Sequence, residues 1–330
     1  MNYILAMQKR PRRNRKSSSI RSLIRETRLG TEKLIYPLFI TADEQAKNPI
    51  ASLPGQFQLG RTELLSEIEE SLNLGLSNFV LFPVVDEGLK DEKASYGTSV
   101  DNFYLKRAEE LKSSFPEICL MSDVALDPYS SDGHDGLVKE GKILNDESLP
   151  ILQEMALLQA QAGFDIIGPS DMMDGRVGAI RSILDEHQFS NVSIMSYTAK
   201  YASAYYGPFR DALDSAPKSG DKKTYQMDPA NALEALREAE LDTEEGADFL
   251  MVKPALCYLD VIRLLKENSK LPISAYNVSG EYAMLKAAAS NGWLEEEIAM
   301  EEMLLSIHRA GAEIILTYFA KDYARLQAQK

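Results

Sequence analysis

A chain of 330 residues, 45% apolar and 26% charged, has material for one large globular domain or two smaller ones, and single α/β barrels reach this length. A net charge of −14 argues against nucleic acid as the main partner, because phosphate backbones are held by basic faces. No apolar run approaches the ~18 residues of a membrane span. The two cysteines, Cys119 and Cys257, each lie in an apolar segment and fit reduced, buried thiols in a cytoplasmic protein.

The first thirty residues break the acidic trend. Lys9, Arg10, Arg12, Arg13, Arg15, Lys16, Arg21, Arg25 and Arg28 face one acid, Glu26. An Arg- and Ser-rich, acid-poor start has the composition of an organelle transit peptide. It equally fits an arm packed on a neighbour's acidic surface, and less well a nucleic-acid tail. Composition by itself leaves these alternatives open.

From Glu32 the chain alternates. Strand-like runs fall at Leu34–Ile40, Asn78–Val85, Ile118–Ala125, Phe164–Gly168, Val192–Tyr197, Phe249–Val252, Ile273–Val278 and Glu313–Tyr318. Helical patterns such as Thr62–Leu74, Leu149–Ala162, Ala230–Thr243, Cys257–Asn268 and Leu294–Ala310 separate them. Gly75, Gly163, Gly246 and Gly311 stand where helix C-caps are expected. Eight strand signals alternating with helices predict a parallel (β/α)8 TIM barrel. No Gly-, Pro- or Ser-rich linker divides the chain, so the reading is an arm over 1–30 and one barrel domain over 31–330.

Barrel chemistry sits at the C-terminal ends of the strands, so the residues there form a functional test. Strand three ends in Ser122-Asp123, and strand four in Gly168-Pro169-Ser170-Asp171. Strand five leads to Lys200, strand six to Lys253-Pro254, strand seven to Ser279-Gly280-Glu281 and strand eight to Tyr318. An ammonium at the edge of an apolar core loses hydration, which lowers its pKa and exposes the free amine that Schiff-base chemistry requires. A single such lysine is more often a snorkelling stem paired with a carboxylate. Two on adjacent strand ends repel one another and lower a pKa further, which points to two carbonyl substrates or two molecules of one.

These residues lie in long, ordered motifs: Met251-Val252-Lys253-Pro254-Ala255, Tyr197-Thr198-Ala199-Lys200-Tyr201-Ala202-Ser203, Tyr206-Gly207-Pro208-Phe209-Arg210, Gly168-Pro169-Ser170-Asp171-Met172-Met173-Asp174-Gly175-Arg176 and Val278-Ser279-Gly280-Glu281-Tyr282. Together they closely resemble the porphobilinogen synthase (5-aminolaevulinate dehydratase) family, from Arg12 to about Tyr323. The resemblance implies a barrel enzyme, a hydro-lyase of tetrapyrrole formation, that condenses two 5-aminolaevulinate molecules and releases two waters. It implies that Lys253 holds the first substrate as a Schiff base and Lys200 the second. It places the first carboxylate on Ser279 and Tyr318, and the second on Arg210 and Lys222 with Gln226 nearby. The segment 202–225 reads as a loop long enough to be a lid that excludes water. Lys222 departs from a frequent arginine and cannot fork onto both carboxylate oxygens; the alignment also permits Lys223.

The metal stretch departs further. Where zinc-dependent members carry three cysteines, this chain has Ala125, Asp127 and Asp135. Carboxylates suit magnesium or a monovalent cation rather than zinc, although a polar Ser/Asp/Gly loop needs no metal. Asp123 is the expected proton-transfer or amine-orienting group. Ala235-Leu236-Arg237-Glu238 resembles a family segment that binds an allosteric magnesium, while the many acids of that helix also read simply as a solvated face. Arg10-Pro11-Arg12-Arg13 and Ile20-Arg21-Ser22-Leu23-Ile24-Arg25-Glu26-Thr27 look like the family's arm, which wraps a neighbouring barrel in a homo-octamer. About eight residues then remain for a targeting peptide, too few for one, so a cytoplasmic location is expected. The alternative function is a class I Schiff-base aldolase, which leaves Lys200 unexplained.

Overall fold

The computed structural model describes residues 9–213 and 217–329. Eight strands form the barrel: β1 (Leu34–Thr41), β2 (Asn78–Val84), β3 (Cys119–Met121), β4 (Ile166–Ile167), β5 (Ser193–Lys200), β6 (Phe249–Lys253), β7 (Ile273–Asn277) and β8 (Ile314–Thr317). Each pairs in parallel with the next, and β8 closes on β1 through Leu34 opposite Ile315. This is the expected (β/α)8 closure. All eight strand signals correspond to strands because runs such as Phe79–Phe82 and Leu250–Val252 are buried on both faces, the environment of a helix-covered parallel sheet.

Eight helices cover the strands: α1 (Arg61–Asn73), α2 (Phe103–Ser114), α3 (Asn145–Gln161), α4 (Arg176–Glu186), α5 (Glu234–Glu244), α6 (Leu259–Asn268), α7 (Glu296–Ala310) and α8 (Ala320–Ala328). Each buries one stripe; α6 does so through Val261, Ile262 and Leu265, the i, i+1, i+4 spacing of an amphipathic face. The four expected capping glycines all take positive φ, from +80° at Gly75 to +134° at Gly311, which lets the chain turn out of the helix. A further helix, Ser279–Ser290, is inserted between β7 and α7, and a short one, Gly207–Leu213, follows β5. Among the described residues, no helix is long and apolar enough to cross a membrane.

Most strand boundaries lie within one residue of the sequence expectation; β3, β4 and β5 differ by two or more, each for a local reason. β3 and β4 are shorter than Ile118–Ala125 and Phe164–Gly168. Past Met121 the pairing thins to a single bridge between Val124 and Pro169, and proline brings no N–H to a ladder. β5 runs three residues beyond Tyr197 and ends at Lys200 itself. The arm contains a turn, Pro11–Arg15, and a helix, Ser18–Leu23, neither of which buries a residue. Packing on the barrel begins at Leu29, whose carbonyl accepts from the Tyr323 hydroxyl at 2.8 Å. Residues 1–8 of the expected arm lie outside the described residues.

Candidate active site

The register between β5 and β6 changes in mid-strand. Leu250 opposes Ser196, whereas Val252 opposes Ala199 and Lys253 opposes Lys200. Two steps along β6 are therefore matched by three along β5, so β5 carries one extra residue. Regular strands alternate faces, and residues three apart point to opposite sides. The extra residue cancels that alternation and brings both Tyr197 and Lys200 to the barrel interior, the re-aiming that bulges perform beside functional sites.

Lys253 is buried, with its Nζ 5.1 Å from the ring centre of Tyr197, 5.2 Å from Tyr206, 5.1 Å from Phe209 and 4.8 Å from Tyr276. Burial, and after it the charge of Lys200, push its pKa down to about 7. The Tyr206 hydroxyl donates to the Lys253 carbonyl at 3.0 Å and seats the strand end. Lys200 has polar neighbours instead: its Nζ donates to the Ser170 carbonyl and lies 3.8 Å from Asp135 Oδ1.

Three carboxylates share the cavity wall with these amines. Asp123 is buried, its Oδ1 has no hydrogen-bond partner among the described residues, and desolvation followed by the nearby Asp127 raises its pKa to about 6. Its backbone is pinned, the N–H donating to the Tyr104 hydroxyl at 3.0 Å and the carbonyl accepting from Gln159 at 2.9 Å. Asp127 and Asp135 both meet Lys222, at 3.2 and 3.1 Å. Burial raises the Asp127 pKa against the pull of Lys222. At Asp135 burial is outweighed by Lys200 and Lys222 together, and the pKa falls to about 2. Among the described residues, no group of three or more His, Cys, Asp or Glu side chains converges as a metal site. Asp127 and Asp135 do converge, but on an ammonium that already fills the place between them. Their arrangement fits a resident lysine rather than a metal ion.

The second carboxylate set is partly assembled. Arg210 and Lys222 reach the cavity, and so does Gln226, whose buried Oε1 has no partner among the described residues. Lys223 is exposed and pairs with Asp221, so Lys222 is the cavity lysine of the two. Ser279 and Tyr318 do not reach the cavity wall. Ser279 Oγ accepts from the Phe209 N–H at 3.1 Å and donates to the Tyr205 carbonyl at 3.2 Å. The Tyr318 hydroxyl is bonded to that of Tyr276 at 3.0 Å. Phe209 stands on that side, packed edge-on against Phe82 at 5.0 Å and against Phe39 at 5.7 Å. Glu238 is half-buried on α5, away from the lysines, and desolvation raises its pKa to about 7 against the pull of Arg176.

The lid expected at 202–225 folds over the cavity from both sides, with residues 214–216 outside the described residues. One side is held by Ser279, and close packing demands Gly280 there, because an added Cβ would lie 2.6 Å from the Tyr205 carbonyl. On the other side His134 Nε2 meets the Ser219 carbonyl at 2.9 Å and Nδ1 meets the Tyr225 hydroxyl at 3.1 Å. A carbonyl only accepts, so Nε2 carries the proton and Nδ1 accepts from Tyr225. That hydroxyl in turn accepts from the Asp135 N–H at 3.3 Å. Sequence reasoning missed this link, the Ser170 carbonyl and the ring cage. Tyr197, Tyr206 and Phe209 stand in the quoted motifs, but no spacing rule shows that rings from separate segments enclose one amine.

A profile of the family described as Delta-aminolevulinic acid dehydratase matches residues 8–326. The chloroplastic delta-aminolevulinic acid dehydratase of Oryza sativa subsp. japonica is 54% identical over 324 residues, covering 98% of this chain and 76% of its own length. The delta-aminolevulinic acid dehydratase of Chlamydia pneumoniae is 52% identical over 316 residues, covering 96% of this chain and 95% of its own. A crystal structure of the Toxoplasma gondii delta-aminolevulinic acid dehydratase (porphobilinogen synthase) in complex with the reaction product porphobilinogen is 51% identical and superposes with a TM-score of 0.97. That match covers 98% of this chain and 93% of the other.

The depressed pKa of Lys253 has a direct readout. Reductive methylation with formaldehyde across a pH series, read by peptide mass spectrometry, should modify Lys253 half-maximally near pH 7. A free lysine amine in water responds only toward the ordinary lysine range, ~10.4. Lys200→Met removes the second cause of the shift and leaves the first, so the Lys253 midpoint should rise without reaching that range. A midpoint unmoved by Lys200→Met would remove Lys200 as a cause.

Proposed function

The chain belongs to the delta-aminolevulinic acid dehydratase family, and we propose that Lys253 and Lys200 each carry one of its two substrate molecules as an imine. The enzyme condenses two 5-aminolaevulinate molecules to porphobilinogen, a step of tetrapyrrole biosynthesis. The observation that carries the two-lysine reading is the opposition of Lys253 and Lys200 across β5 and β6. It holds two ketones side by side, converting a bimolecular condensation into a reaction within one site.

The chemistry balances on this pair. Each free amine adds to a ketone and the carbinolamine loses water, giving the two waters of the reaction. Each imine acidifies the carbon beside it. Loss of that proton from one gives an enamine that forms the carbon–carbon bond at the other imine carbon; loss of a second proton from the attacking carbon then forms a double bond between the two carbons and expels the lysine as a protonated amine. Attack of a substrate amine on the remaining imine carbon forms the carbon–nitrogen bond and expels the other lysine, and a final proton loss completes the pyrrole. Asp123, with an oxygen unpartnered among the described residues and a pKa of about 6, is the proton carrier. Arg210, Lys222 and Gln226 receive one substrate carboxylate. Ser279 and Tyr318 receive the other once Phe209 and the lid release the Ser279 hydroxyl. Borohydride reduction in the presence of substrate should attach adducts at both Lys253 and Lys200. Lys253→Ala and Lys200→Ala should each abolish product, and near-normal turnover of Lys200→Ala would refute the two-imine scheme.

Glu238 is the proposed holder of a magnesium ion, remote from the chemistry. Its support is a half-buried carboxylate in the field of Asp242, Asp174 and Glu234, which a divalent ion retaining most of its waters would relieve. Lys222 supplies positive charge between Asp127 and Asp135, so the condensation itself is assigned to side chains, without zinc. Turnover should survive exhaustive zinc removal, and added magnesium should stimulate the wild type but not Glu238→Gln. Activity lost with zinc and restored by zinc alone would overturn this assignment.

The arm supports a homo-oligomer, the octamer expected from the sequence. Leu23 is 82% exposed among basic residues, while Trp293, Leu294 and Ile298 are exposed and close in the chain to Glu295 and Glu297. Burying one such side chain yields about 1.5–3 kcal/mol, and opposite charges steer the encounter. Deletion of residues 1–28 should give a folded but smaller assembly by light scattering. An octamer that survives the deletion would refute the assignment.

A further inference from the structure

Behind the three-residue step on β5 lies a guanidinium. Arg176, the first residue of α4, is 2% exposed and reaches the outer face of the barrel wall. Its Nη2 donates to the Tyr197 carbonyl at 3.3 Å and to Ser196 Oγ at 3.0 Å. Its Nη1 pairs with Asp242 of α5 at 3.2 Å, and Ser196 Oγ donates to Asp242 Oδ2 at 2.6 Å. Arg176, Ser196 and Asp242 thus form a closed triangle, with the Tyr197 carbonyl as a fourth partner. The contacts fall where the register changes, between Ser196 and Ala199.

A buried ion pair is a weak source of stability, because desolvation consumes most of its attraction. What this one does is geometric. A one-residue slip in a strand exchanges its two faces, and an irregular strand has a regular alternative at low cost. In that alternative Lys200 no longer stands opposite Lys253. A planar fork held on two elements and gripping a bulge carbonyl disfavours the slip, and lysine cannot reproduce several donors in fixed directions.

We infer that Arg176 is a positioning residue for Lys200: it clamps Ser196 and the Tyr197 carbonyl from behind the wall and so holds the β5 register that sets the two lysines face to face. The inference rests on the reading of Lys200 as the second substrate's amine. Lys253 belongs to β6, to which the Arg176 fork donates no hydrogen bond and which the clamp meets only through Ser196 opposite Leu250 and the Tyr197 ring, so loosening the clamp displaces Lys200 more than Lys253.

The test compares the borohydride-trapped 5-aminolaevulinate adducts at the two lysines, by peptide mass spectrometry on the full-length protein. In Arg176→Lys the Lys200 adduct, taken as a ratio to the Lys253 adduct, should fall about 10-fold or more, the scale of one lost charge-assisted hydrogen bond. Ser196→Ala removes a single hydroxyl and should lower the ratio in the same direction by less. It decides the matter if Arg176→Lys does not fold. An unchanged ratio in both variants, or equal loss of both adducts, overturns the inference, because a merely structural role weakens both amines alike. Failure of the wild type to give any Lys200 adduct would instead defeat the two-imine reading, and this inference with it.

Discussion

Two buried amines in register on adjacent parallel strands are the constraint on which the rest of this active site depends. Neighbouring strands stand ~4.8 Å apart, and two unit charges about 5 Å apart at an effective dielectric of ~20 repel by roughly 3 kcal/mol. The site relieves this asymmetrically. Lys253 is enclosed by Tyr197, Tyr206, Phe209 and Tyr276, and burial lowers its pKa into the neutral range. Lys200 instead has a carbonyl and a carboxylate within reach. One fold thus provides two amines of different character, as a condensation of two identical ketones into an asymmetric product requires.

The acids around the pair are differentiated in the same way. Asp135 lies between two ammonium groups and is held ionised. Among the described residues, Asp127 has Lys222 as its close cation and Asp123 has no cation in direct contact, so desolvation dominates both. Three aspartates of equal intrinsic acidity therefore hold their protons differently because of placement alone. The lid is tied to this arrangement: Tyr225 touches both His134 and the Asp135 backbone, and Lys222 comes from the lid segment. The described part of this segment thus supplies both a hydrogen-bond contact and a positive charge to the acids.

Much of the architecture was legible in the chain. Runs such as Phe79–Phe82 and Phe249–Val252, separated by amphipathic helices, specify a parallel barrel because burial on both faces and the 3.6-residue stripe are local signals. The barrel rule then placed Asp123, Lys200 and Lys253 at strand ends, where the structure has them around one cavity. Ser279 and Tyr318 followed the same logic but stop short of the cavity wall, since the position of Phe209 depends on how the lid packs. Asp127 and Asp135 read as oxygen donors for a cation, and the cation between them is Lys222, from a segment some 90 residues later in the chain.

The sequence by itself determined the strand order, the lysines at the ends of β5 and β6 and the supply of carboxylates, because each depends on residue type and local periodicity. Only the tertiary structure decided which residue of β5 faces Lys253, which rings close around it and which acids share a lysine. Register is a non-local quantity: one extra residue in β5 exchanges inside for outside, and it is held by Arg176 and Asp242 from two helices that lie on either side of β5 in the chain. A pKa of about 7 at Lys253 is non-local as well. It arises from desolvation by side chains on several elements, which come together only when the barrel closes.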